Sequence, residues 1–199
     1  AGKVGKCAIG FGADAAVVVE DAALAKFNSN LYAKAVADIA KKYEPSVILI
    51  GASHDGRDLG GRLSALMNLG LVADCIDCRY EGDDDTLTWI RPAYTGKLYV
   101  KILTTTRPQL ATISDKIFKG NTFDEGRNGE VITESVDVAG LTPLSSVSAF
   151  EVVPPEAKAL SLETADIIVG AGRGVGDAEG LKKVQEFAES IGAAFGVSK

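Results

Sequence analysis

Ser46-Val47-Ile48-Leu49-Ile50-Gly51-Ala52-Ser53-His54-Asp55-Gly56-Arg57-Asp58 is the stretch that decides the fold class. Its apolar run shows no alternation, which is how a strand buried on both faces of a parallel sheet reads. A small, polar loop follows at 51–57. Leu59, Leu63, Leu66 and Met67 then recur at helical spacing and predict a helix over 58–69, with Gly70 at its C-terminal end. The loop after a parallel strand, leading into a helix, is where α/β sheets bind ligands.

Upstream, the turn-like Gly10-Phe11-Gly12-Ala13-Asp14 precedes the β-branched run 15–19. Residues 1–12 read as the tail of a helix with no strand before it. Asn30 is placed to cap a helix over 30–43, striped by Tyr32, Val36, Ile39, Ala40 and Tyr43 and stopped by Pro45. Downstream, 76–153 turns to β. Alternating runs at 86–90, 98–105, 131–138 and 147–153 are separated by Gly82, Pro92, Gly96, Pro108, Gly129 and Pro143. Pro154-Pro155 reads as a stiff connector. A buried strand over 165–169, a glycine loop, a helix capped by Asp177 and a last strand over 193–197 follow. The helix stripe is Leu181, Val184, Phe187 or Ala188, and Ile191, ended by Gly192. The expected class is therefore α/β. A parallel-sheet, nucleotide-binding-like domain with an added β-rich section occupies 1–155, and a second α/β domain begins at 160–199. A strand-helix-strand unit of that size closes no core alone, so the chain reads as partial, truncated at its start and ending inside the second domain.

Composition narrows the function. With 199 residues, 46% hydrophobic and 24% charged, the chain is long enough for a core without disulfide or metal staples. Lys and Arg number 21 against 27 Asp and Glu, a net charge of -6. No dense basic run is present, which argues against duplex binding, since that depends on phosphate neutralisation. Apolar runs fall far short of a membrane span and no signal peptide opens the chain, so a soluble intracellular protein is expected. Cys75 and Cys78 form a C-x-x-C, but Cys7 is distant and His54 is the only histidine. On a continuous strand over 71–78 the two thiols would point to opposite faces. Neither a metal site nor cysteine chemistry is expected.

Two loops carry candidate chemistry. Gly170-x-Gly172-x-Gly174-x-Gly176 matches neither the dinucleotide nor the P-loop fingerprint. Its glycines permit close backbone approach, the helix behind it attracts anions, and Arg173 adds a planar positive fork. Phosphate binding and a plain tight turn both remain readings of it. Ser53, His54 and Asp55 are sequence neighbours, which is not how a hydrolase triad assembles.

Several motifs in order then resemble the alpha subunit of electron transfer flavoprotein over essentially the whole chain. They are Gly12-Ala13-Asp14; Gly51-Ala52-Ser53 through Gly56-Arg57-Asp58-Leu59, with Arg62-Leu63-Ser64-Ala65; Gly70-Leu71-Val72-Ala73-Asp74-Cys75; and Arg91-Pro92-Ala93-Tyr94-Thr95-Gly96. Arg107-Pro108-Gln109-Leu110-Ala111-Thr112 continues the pattern, departing from the family's second Arg-Pro at Ser114-Asp115. Ala165-Asp166-Ile167-Ile168-Val169 with Gly172-Arg173-Gly174, and Ala193-Ala194 with Gly196-Val197-Ser198-Lys199, complete it.

The resemblance implies an electron-carrier subunit rather than an enzyme, with no catalytic residue of its own. It implies a heterodimer with a beta subunit, FAD as cofactor and acyl-CoA dehydrogenase-type redox partners, and some family members bifurcate electrons from NADH. Carried over by position, Gly172, Arg173, Ser198 and Lys199 would lie at the flavin, Lys199 standing where the family has arginine. A cation there stabilises negative charge on the reduced ring, and lysine keeps the charge while losing the fork. The family's main pyrophosphate-binding motifs lie beyond this chain's last residue, so this chain alone is expected to hold FAD weakly or not at all. The cytoplasm is the expected compartment, the mitochondrial matrix the alternative. The competing reading is a stand-alone adenine-nucleotide-binding regulatory module using the loop 51–58.

Overall fold

A computed structural model of the chain describes residues 2–81, 85–114, 117, 120–138, 141, 148–149, 151, 162 and 165–198. Two compact units form, Ala1–Ser146 and Val147–Lys199. Pro154-Pro155, Gly82 and Pro143 lie outside the described residues, as does most of the strand expected at 147–153.

In the first unit the order is α1 (Gly2–Gly10), β1 (Ala15–Val19), a 3-10 turn (Ala22–Leu24), α2 (Ser29–Tyr43), β2 (Val47–Gly51), α3 (His54–Met67), β3 (Leu71–Cys75), β4 (Asp77–Tyr80), β5 (Leu87–Ala93), β6 (Leu98–Leu103), β7 (Gln109–Ile113) and β8 (Glu130–Glu134). Two parallel sheets result, β1-β8 and β2-β7-β3, alongside an antiparallel ribbon β4-β5-β6. The β-rich stretch is thus divided. Only β4 to β6 form an added ribbon, while β7 returns between β2 and β3 and β8 pairs with β1.

The caps differ from the expected ones. Asn28, not Asn30, caps α2, its Oδ1 accepting from the Asn30 and Leu31 amides. The helix buries Leu31, Ala33, Ala35, Ala37 and Ala40, whereas Tyr43 is exposed. Small side chains on that face let α2 pack closely against α3. Helix α3 starts four residues earlier than its apolar stripe suggests, because Ser53 Oγ accepts from the Gly56 amide at 3.1 Å. It ends at Asn68 in the left-handed conformation, not at Gly70, and Leu66 faces solvent.

Two clusters form the core. Leu63 and Leu110 are fully buried with Ala33, Ala37 and Leu69, and Ile48 and Ile50 of β2 pack against them. Trp89, Val72, Cys75 and Ala111 form the second, where the ribbon meets the parallel sheet. Gln109 joins the same two layers, donating from Nε2 to Leu87 O at 2.9 Å and accepting from the Leu87 amide at 2.8 Å. The expected opposition of Cys75 and Cys78 fails. Asp74 is left-handed at φ 56, the register shifts between Val72 and Cys75, and Cys78 packs against the cluster that buries Cys75. Burial pushes the Cys75 thiol up to about 11, so it is a packing group and not a nucleophile.

The C-terminal end of α2 is tied to β8. Lys42 Nζ and Tyr43 OH both donate to Glu134 Oε1 at 2.6 Å. The bonds to Lys42 and Tyr43 hold the Glu134 carboxyl below its usual range, and the bond to Glu134 raises Lys42. The depressed carboxylate stabilises the fold above its unfolded pKa, and this is lost as pH falls through the lower folded value. The raised ammonium stabilises below its unfolded pKa, and this is lost as pH rises through the higher folded one. Glu134→Gln should therefore differ from wild type in urea midpoint on a plateau across neutral pH. The difference should fade in acid below the ordinary carboxylate range and in alkali above the ordinary lysine range.

Candidate functional site

In the second unit, β9 (Ile168–Ala171) and β10 (Ala194–Val197) pair in parallel, and α4 (Ala178–Ser190) connects them. The strand begins later than the expected 165–169, and it is not buried, since Ile167 and Ile168 are about half exposed. Of the alternatives in the α4 stripe, Ala188 is the buried one and Phe187 is exposed. Asp177 caps α4 as expected, its Oδ1 accepting from the Gly180 amide at 2.8 Å.

The loop leaves the C-terminal end of β9 and forms a 3-10 turn over Arg173–Val175. Its glycines separate by cause. Gly176 is needed for its backbone, at φ 82. Gly180, which the sequence reading did not single out, is needed for space, because a Cβ there would lie 2.2 Å from Val175 O. Gly170 and Gly174 have neither reason: a Cβ on either would meet nothing within 4 Å, and neither has positive φ. Arg173 lies between them, exposed; its carbonyl accepts from the Gly176 amide at 3.2 Å, and its guanidinium makes no hydrogen bond or ion pair among the described residues. Ser198 folds back to this loop. Its amide donates to Ala171 O at 2.9 Å, and its Oγ lies 3.4 Å from where a Gly172 Cβ would be. Gly172, Arg173 and Ser198 are thus brought together, and Lys199 lies outside the described residues. The carboxylate of Asp177 occupies the start of α4, so positive charge at this loop comes from Arg173 rather than from a free helix N-terminus.

The loop at 51–58 is a different structure. A Cβ at Gly56 would sit 1.8 Å from Gly51 O, so the first turn of α3 is packed directly onto the end of β2. Arg57 Nε donates to Asp74 Oδ1 at 2.8 Å, which engages the loop's cation internally. Ser53 Oγ serves as the helix cap, accepting from the Gly56 amide, and among the described residues no side-chain hydrogen bond joins Ser53, His54 and Asp55. Among the described residues no helix is long and apolar enough to cross a membrane.

Two α/β units, the second with a glycine-rich loop and an exposed arginine at the end of a parallel strand, place the chain among mixed α/β proteins built on parallel sheets. The chain belongs to the electron transfer flavoprotein family. Residues 1–139 match the electron transfer flavoprotein domain, and residues 161–199 match the electron transfer flavoprotein FAD-binding domain. Electron transfer flavoprotein subunit alpha of Thermoanaerobacterium thermosaccharolyticum is 36% identical over 193 residues, covering 96% of this chain and 57% of the relative. The same subunit of Bacillus subtilis is 35% identical over 191 residues, with 96% and 57% covered. Lactate dehydrogenase (NAD(+),ferredoxin) subunit LctC of Acetobacterium woodii is 36% identical over 184 residues, with 92% and 43% covered. The chain therefore spans about 57% of the length of the first two relatives.

Proposed function

We propose that this chain is part of the alpha-type subunit of a flavin electron carrier, working in the cytoplasm with a beta-type subunit and receiving electrons from dehydrogenases. The observation that carries the reading is the pair Gly170 and Gly174. Among the described residues neither is required by backbone conformation or by neighbouring atoms, and both lie near a guanidinium that has no partner there, at the end of a parallel strand. Room for a ligand accounts for glycine there. FAD, when bound, supplies two-electron uptake and one-electron release.

The roles of this chain's own residues follow. Gly170, Gly172 and Gly174 let the cofactor approach the backbone. Arg173 holds it by a planar fork and favours its more negative, reduced form, as does Lys199. Ser198 offers a hydroxyl beside Gly172. Acyl-CoA dehydrogenase-type donors fit the family, and the similarity to LctC makes NADH-linked bifurcation the finer question.

The deciding experiment is the visible spectrum of the full-length native complex, purified without added cofactor, with flavin counted per complex. One flavin fits a simple carrier and two fit bifurcation, whereas a colourless preparation overturns the reading. In that complex Arg173→Ala should weaken FAD retention roughly ten- to a hundredfold, the range of one charge-assisted hydrogen bond, and lower the flavin potential. Arg173→Lys should keep much of the potential and less of the affinity. Equilibrium dialysis and redox titration read the two effects separately.

A further inference from the structure

Gly176 joins the Arg173 turn to α4 in an unusual conformation. Its φ of 82 and ψ of -61 are those of a γ-turn with positive φ, the rare and strained form. The hydrogen bond that defines such a turn is present, the Asp177 amide donating to Val175 O at 3.1 Å. An ordinary glycine cap after a helical turn would instead have a ψ of about +47. Gly192, just beyond α4, serves as that kind of cap. Its φ is 67, and the Gly192 and Ala193 amides donate back to Glu189 O and Ala188 O.

Hydrogen bonds run without a gap from Arg173 through this turn to the helix. Gly172 O accepts from the Val175 amide and Arg173 O from the Gly176 amide, both at 3.2 Å. Asp177 follows, capping α4 with its side chain while its carbonyl accepts from the Leu181 amide at 3.0 Å. Val175 O rests against the bare backbone of Gly180, 2.2 Å from where a Cβ would stand. The helix is in turn anchored by Ala188, which is fully buried. The Arg173 guanidinium has no partner among the described residues. Its direction is therefore set by the backbone that carries it, and that backbone is held through Gly176.

Strain of this sort persists only where the surroundings over-determine it, and it gathers at ligand sites. Crowding does not demand glycine here, since a Cβ on Gly176 would meet nothing within 4 Å. A γ-turn of the opposite hand is common and unstrained. It would redirect the chain between β9 and α4, and Arg173 with it.

We infer that Gly176 is a positioning residue for the flavin site: its γ-turn hangs the Arg173 turn on the start of α4 and fixes where the guanidinium points. That role presupposes Arg173 at the cofactor, as proposed above. Gly176 acts through Arg173 alone.

A double-mutant cycle in the full-length native complex tests this, with FAD retention read by equilibrium dialysis and flavin potential by redox titration. Gly176→Ala should weaken retention roughly three- to tenfold, part of the loss expected for a charge-assisted hydrogen bond, and lower the potential. On an Arg173→Ala background the same substitution should change neither quantity, because the group it aims is gone. Gly192→Ala is the control. It places a side chain at positive φ with nothing within 4 Å, as Gly176→Ala does, and should leave retention and potential unchanged. Equal losses from the two alanine variants would reduce Gly176 to a folding role and overturn the inference. Additive losses in the double variant would do the same. If Arg173→Ala alone changes neither quantity, the functional reading falls and the role of Gly176 with it. A full Arg173→Ala effect beside an inert Gly176→Ala rejects the role of Gly176 only.

Discussion

Gly56→Ala should destabilise the first unit by more than about 3 kcal/mol, the upper range of overpacking changes. The added methyl would sit 1.8 Å from Gly51 O, an atom of the backbone at the end of β2. No side chain can rotate away to relieve that contact. The start of α3 must lift off the sheet, and with it go the Ser53 cap and the Arg57–Asp74 pair. Gly61, on the same helix, is the control. It is exposed, a Cβ there meets nothing within 4 Å, and it has no positive φ. Gly61→Ala should stabilise by about 0.5–1 kcal/mol through helix propensity alone. Urea unfolding of the two variants separates a packing glycine from an idle one, and equal effects would refute the assignment of Gly56 to packing.

That contrast also shows what was legible beforehand. The parallel strand at 47–51, the helix behind it and the Asp177 cap follow from local pattern, because period and capping chemistry are local. Three features were not local. Strand β7 escaped notice because Gln109 and Thr112, both fully buried, break the apolar run by which a central strand is recognised. Their burial is tolerated because Leu87 and the Asp74 amide are their partners, residues distant in sequence. The fate of Cys75 and Cys78 turned on one left-handed residue, Asp74, which no period announces. In the second unit the glycines look alike as letters. They divide into conformational, steric and unconstrained only when their neighbours are known. The candidate site was therefore locatable from Gly172-Arg173-Gly174, but the argument for a ligand from Gly170 and Gly174 needed coordinates.

Trp89→Ala should cost about 3–5 kcal/mol, as for a large aromatic removed from a core. The side chain is fully buried among Val72, Cys75 and Ala111, and stands opposite Cys78 and Ile102 on the neighbouring ribbon strands. With Gln109 it joins the ribbon to the parallel sheet, so its loss detaches a layer as well as opening a cavity. Yet its indole Nε1 is buried with no hydrogen-bond partner among the described residues. An orphan donor costs about 1–3 kcal/mol. Trp89→Phe removes that donor while keeping most of the apolar contact. The two effects oppose each other, and the phenylalanine variant should lie within about 1.5 kcal/mol of wild type. Because Trp89 is the only tryptophan, unfolding must be followed by far-UV circular dichroism rather than fluorescence. A large loss in both variants would mean that the indole shape itself is required at this junction. A large loss in alanine alone would mean that the ribbon is held by apolar bulk, with the N–H a burden the fold carries.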